Sequence, residues 1–114
     1  MGHWHDLSKD LHSQTRPLKE LIPDAWSGFV SMHHGAMAEG ALSRATKELI
    51  ALAISVIDEC DGCVSSHARG AARHGATAQQ VAEAIGVALL MGGGPVTVWG
   101  PRAFNAFTEF ADAE

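Results

Sequence analysis

The stretch RATKELIALAISVIDE is apolar at positions 49, 50, 52, 53, 54, 56 and 57. Polar residues open it and apolar ones surround its second half, which predicts a helix in the middle of the fold rather than across its surface. Ser43 stands where a cap would. Before it, PDAWSGFVSMHHGAMAEG puts Pro23 in a first helical turn, gathers Trp26, Phe29, Val30 and Met37 roughly on one side and ends at Gly40, so a helix is predicted there too. CDGCVSSHARGAARHG carries small residues on most faces and stops at Gly75, and Thr77 then caps AQQVAEAIGVALLM, giving two further helices. GGGPVTVWGPRAFNAFTEF predicts a last helix opened by Pro95. Pro101 withdraws an internal hydrogen bond from it, so a kink or break is expected near Gly100. At the other end, DLSKDLHSQTRPLKELI has looser helical spacing interrupted by Pro17, which predicts one or two short helices before Pro23.

No stretch alternates with the period of a half-buried strand, and no repeat or linker divides the chain. The expected fold is therefore all-α, a compact helical domain with the CxxC at the start of a central helix. Its 114 residues, 46% of them hydrophobic, supply one core and leave no length for a second. A single domain over 1–114 is expected, with 1–25 as an N-terminal helical segment.

Charge narrows the partners. A net charge of -5 with only eight Lys and Arg argues against nucleic acid, which selects clustered cations. The N-terminus MGHWHDLSKDLHSQ has no secretory apolar stretch and LIALAISVI is too short to span a bilayer, so a cytoplasmic protein with no membrane partner is expected. The glycine run at 92–94 lacks the GxxxxGK[ST] pattern and follows a helix; it reads as a helix stop, and no cofactor is expected.

The chemistry concentrates in ECDGCVSSHARG, residues 59–70, which holds both cysteines. On a helix Cys63 and His67 are one turn apart and Cys60 and His67 two, so all three can share a face. If Cys60 begins the helix, the positive end of the helix dipole favours thiolate over thiol there. A redox pair, a zinc half-site of two thiolates and an imidazole, and an incidental spacing all fit these residues. Against zinc stand the missing fourth ligand and an apolar content that needs no metal to form a core.

Glu48 sits in KELIALAIS, among residues that should be buried. If its helix and the CxxC helix turn back on each other near residue 59, Glu48 lies about 16 Å before the turn and His67 about 12 Å after it, within one helical turn of each other. The competing reading makes Glu48 a solvated residue paired with Arg44 or Lys47. Of the other histidines, His33 and His34 can line a site or a helix end, His74 suits a helix C-terminus, and His3, His5 and His12 fall in a segment expected to be mobile. Trp4, Trp26 and Trp99 read as core or interface residues.

Glu48, eleven intervening residues, then Cys60-x-x-Cys63-x-x-x-His67 resemble the signature of the alkylhydroperoxidase AhpD-like group within the carboxymuconolactone decarboxylase family. ATKELIALAIS and VALLMGGGP also resemble family segments, so the resemblance runs over roughly residues 26 to 111. It implies an all-helical fold assembled as a homotrimer or homohexamer. It also implies that Cys63 is the peroxidatic thiol, Cys60 the resolving thiol, and His67 with Glu48 a proton relay. The substrate would be a hydroperoxide, reduced through a sulfenic acid and a disulfide, with a dithiol or lipoyl-bearing protein as reductant. Some members carry a histidine between the cysteines where this chain has Gly62. The alternatives from other classes are a muconolactone-type decarboxylase, which needs no CxxC, and a binding or zinc-stabilised oligomeric protein on the same fold.

Overall fold

Capping decides where the central helices begin in the computed structural model, which describes residues 2–113. The Ser43 side chain accepts the Thr46 N–H and starts α3 (Arg44–Ile57). Thr77 and Gln80 form a reciprocal capping box at the head of α5 (Ala78–Gly92), satisfying backbone donors that the helix itself leaves open. Between them, α4 (Asp61–Arg73) is capped by Cys60, whose sulfur accepts the Cys63 N–H. With α1 (His3–Leu21), α2 (Pro23–Met37) and α6 (Val96–Ala113), these make six helices and no strand among the described residues. The all-α expectation is met, with the CxxC at the start of a central helix.

α3 and α4 double back on each other through Asp58, Glu59 and Cys60, where Glu59 takes a positive φ of 53° and the Cys60 N–H returns to the Ser55 carbonyl. Gly75, with φ 84°, ends α4 as expected, since a left-handed residue there carries no side-chain penalty. α4 packs on α3, α1 and α6. Leu52, Val56, Val64, Val81 and Phe110 are almost fully buried, each contributing about 1.5–3 kcal/mol of hydrophobic burial.

Both prolines expected to interrupt helices lie inside continuous ones. α6 runs from Val96 to Ala113 through Pro101 without a break. Gly100, Ala103, Ala106, Phe107 and Phe110 are buried along it, and a Cβ at Gly100 would stand 2.9 Å from Ile85 on α5. This close seating holds the helix together across the lost bond, as tertiary packing routinely does. α1 likewise passes through Pro17 as one helix; the turn around it is exposed, so water can take the carbonyl that the proline leaves without a donor.

The N-terminal segment corrects the expectation of a mobile one. Trp4 is 4% exposed and belongs to the main core. Glu109 on α6 accepts the Trp4 and His5 N–H groups and the His5 ring, capping the start of α1 with a carboxylate where the helix dipole favours one. Burial alone would raise the Glu109 pKa, but these backbone and side-chain hydrogen bonds outweigh it and hold the carboxyl below its ordinary value. Ser65 on α4 donates to the Trp4 carbonyl and shares a hydrogen bond with Ser8, which fixes α1 along α4.

α2 is the least embedded helix. It ends at Met37, before Gly40, because Ala38 turns to an extended conformation. Of the residues gathered on its apolar side, Trp26 is half-buried and Met37 buried, while Phe29 is 60% and Val30 41% exposed, so that side is only partly covered; His33 is half-buried. The radius of gyration, 14.3 Å, exceeds the roughly 13 Å usual for this length. No helix among the described residues is long and apolar enough to cross a membrane.

Candidate functional site

Cys60 and Cys63 are joined by a disulfide across the first turn of α4. Cys60 is half-buried and Cys63 exposed. A helix that begins at a cysteine directs open backbone N–H groups at the sulfur, as the Cys63 N–H to Cys60 Sγ contact of 3.2 Å does here; once the bond is reduced, such donors favour thiolate. Gly62 lies between the cysteines, beneath Leu11 of α1, and a Cβ there would come within 2.8 Å of Leu11 Cδ1. α1 thus occupies the space that a larger residue at this position would need.

One turn further along α4, His67 Nδ1 lies 2.7 Å from Glu48 Oε1. The hydrogen bond to a carboxylate assigns the Nδ1 proton and leaves Nε2 as the acceptor of the neutral ring. Glu48 is 2% exposed, and its other oxygen accepts from Arg44 Nε at 3.2 Å. Burial alone would raise the Glu48 pKa, but the His67 hydrogen bond and charge, with those of Arg44, outweigh it and hold the carboxyl below its ordinary value. The reading of Glu48 as a solvated partner of Arg44 is half right: the pair forms, but inside the protein, while Lys47 reaches the Ala38 carbonyl instead.

Gly70 makes this arrangement possible. A Cβ at residue 70 would overlap the Glu48 carboxylate, so only a glycine lets α4 come this close to the acid. The role of Gly70 was missed from the sequence; its signal was a glycine inside a helix, one turn after His67, with no turn to explain it.

Above the pair opens a cleft of about 380 Å³. α4 forms its floor from Gly62 to His74, α1 one wall through Leu11 and His12, and α3 with α2 the other through Arg44, Glu48 and His33. The His33 ring stacks near His67, with centroids 6.3 Å apart and planes inclined by 24°; His34 contacts His33 edge-on but does not line the cleft. His74 caps the C-terminus of α4, as expected, and also borders the cleft. His3 and His5 lie elsewhere, against Trp4 and Phe110. Among the described residues no three His, Cys, Asp or Glu side chains converge where a metal ion would fit.

Comparison with known proteins agrees with this architecture. A model of the carboxymuconolactone decarboxylase family matches residues 23–109. The chain is 38% identical over 98 residues to an uncharacterised protein of Cupriavidus necator, covering 86% of this chain and 87% of that one. It is 36% identical over 85 residues to uncharacterised protein 4 in the cox locus of Paracoccus denitrificans, covering 75% and 77%. Among solved structures, the apo form of a carboxymuconolactone decarboxylase family protein from Legionella pneumophila superposes with a TM-score of 0.91 at 35% identity, covering 95% of this chain and 96% of that one.

Proposed function

The chain belongs to the carboxymuconolactone decarboxylase family, and from that premise we propose that it is a thiol-dependent hydroperoxide reductase of the AhpD-like kind. The observation that carries the reading is the 2.7 Å bond between His67 Nδ1 and buried Glu48, one turn along α4 from a cysteine pair at the helix start. A decarboxylase has no use for two sulfurs within bonding distance of each other, and that difference favours redox chemistry over the namesake reaction.

In the reduced protein, His67 Nε2 accepts the Cys63 proton while Glu48 holds the ring and offsets its charge. The thiolate attacks the terminal oxygen of the hydroperoxide; an S–O bond forms, the O–O bond breaks, and the departing alkoxide takes the proton from His67. The products are a sulfenic acid on Cys63 and an alcohol. Cys60 then displaces hydroxide from the Cys63 sulfur, giving water and the disulfide. A dithiol, free or as a lipoyl-bearing protein, restores both thiols and is itself oxidised to a disulfide. No cofactor takes part in these steps.

The active assembly is a homotrimer or homohexamer. Exposed Phe29 and Met32 on α2, and Ile54, Leu90 and Met91 on α3 and α5, support this reading, because apolar patches of that kind usually have a covering partner. Anaerobic counting of free thiols before and after one equivalent of hydroperoxide tests the proposed function. Loss of both thiols with release of one alcohol is expected; two thiols left intact would overturn it.

A further inference from the structure

α2 carries more apolar surface than its own chain covers. Trp26, His33 and Met37 turn inward, while Ala25, Phe29, Met32 and Ala36 make a second stripe at helical spacing, and all four are exposed. Phe29 and Met32 stand furthest out, 60% and 63% exposed. Between α5 and α6 lies the complementary shape, an apolar groove of about 410 Å³. Ala82, Ile85 and Leu89 form one side of it and Gly100, Pro101 and Phe104 the other; no charged side chain lines it, and neither does any residue of α2.

The total surface gives the scale of what is left uncovered. The chain exposes 6950 Å², whereas a folded monomer of 12.0 kDa exposes about 6,000 Å². The excess is close to the roughly 800 Å² that each partner contributes to a standard interface.

We infer that α2 of one copy seats Phe29 and Met32 in the α5–α6 groove of a second copy. This rests on the assembly proposed above, names its contact and makes no use of the redox chemistry. Ridge and groove are unlike surfaces, so the contact is head-to-tail, the kind that closes into a ring when repeated around an axis. A second copy fits better than other occupants. A charged protein partner would find no opposite charge in either half of the contact. A lipid surface selects Lys and Arg on the polar side of an amphipathic helix, and α2 contains neither.

The contact also reaches the site. The inner side of α2 places His33 in the cleft wall, with its ring centroid 6.3 Å from that of His67. A neighbour seated on the outer stripe therefore holds the helix that brings His33 there.

Two charge variants at exposed positions test the contact, Phe29→Asp on the ridge and Leu89→Asp in the groove. In native mass spectrometry each alone is expected to lose the wild-type mass while keeping the helical circular-dichroism spectrum. An equimolar mixture should restore a species holding both chains, because each variant supplies the half that the other lacks. Hydrogen exchange reads the same contact from α2. In Leu89→Asp the α2 amides should exchange about ten- to a hundredfold faster than in the wild type, although the substitution is on α5, and mixing with Phe29→Asp should slow them again. A wild-type mass of three or six chains that either variant leaves intact, or a mixture that restores nothing, overturns this contact and leaves the assembly standing. A wild-type mass of one chain removes both. Flotation of that single chain with phosphatidylcholine vesicles, lost in Phe29→Asp, would give the ridge to a lipid surface and likewise overturn the inference.

Discussion

Gly70 on α4 lies directly against the buried carboxylate of Glu48 on α3, with no room for a methyl group between them. On an open helix surface, alanine in place of glycine stabilises by about 1 kcal/mol. Here the added carbon must displace a carboxylate bonded to both His67 and Arg44. Gly70→Ala is therefore expected to destabilise the fold by about 1–3 kcal/mol in urea unfolding, and to slow oxidation of Cys63. Gly35→Ala on α2, where a Cβ meets nothing within 4 Å, is the matched control and should be neutral or mildly stabilising.

The acid sensitivity of the fold follows from the same carboxylate. The Glu48 pKa in the folded chain lies below its ordinary value of 4.5, so the unfolded chain takes up a proton first as the pH falls. The stability that Glu48 contributes is fully present above 4.5 and is lost as the pH drops through the folded value. Glu109, also lowered, acts in the same direction. In denaturant unfolding from about pH 6 to about pH 3, Glu48→Gln should lose less stability on acidification than the wild type, while retaining the part due to Glu109. Parallel losses in both proteins would mean that Glu48 carries no such linkage.

The two cysteines should fail differently. Cys63→Ser is expected to abolish reaction with hydroperoxide. Cys60→Ser should allow one oxidation and stop at a sulfenic acid on Cys63, trapped by a dimedone probe and read by mass spectrometry. A sulfenic acid found on Cys60 in Cys63→Ser would invert the assignment. Zinc bound in equal amount to the chain through both thiolates would replace it with the metal reading.

Assembly is checked by mass. Light scattering at micromolar concentration is expected to give three or six times the 12.0 kDa of the chain. Leu90→Glu together with Phe29→Glu, both at exposed apolar positions, should shift that mass downward. A wild-type mass of one chain would remove the oligomer from the account.

Much of the helical framework was legible because each signal acts locally. Ser43 and Thr77 cap helices through their own side chains, and Gly75 ends one through its own backbone. Glu48 and His67 were found together because two helices joined by a short turn have few ways to pack. What escaped the sequence depends on tertiary contacts. Pro101 is tolerated inside α6 because of the close seating of that helix on α5, and the N-terminal segment is ordered by Glu109 from more than 100 residues away. The cleft draws on α1, α2, α3 and α4 at once, so no window of sequence displays it. Gly70 was visible, but its meaning required the position of Glu48.

The central claim is that Glu48 acts on Cys63 through His67, and single-turnover oxidation of Cys63 against pH, in the wild type and in Glu48→Gln, tests it most directly. The variant keeps the side-chain shape and removes the charge that holds the imidazole. The account predicts slower oxidation near neutral pH and a profile displaced to higher pH, with the two rates converging in alkali, where the thiolate forms without help. Superimposable profiles would contradict it.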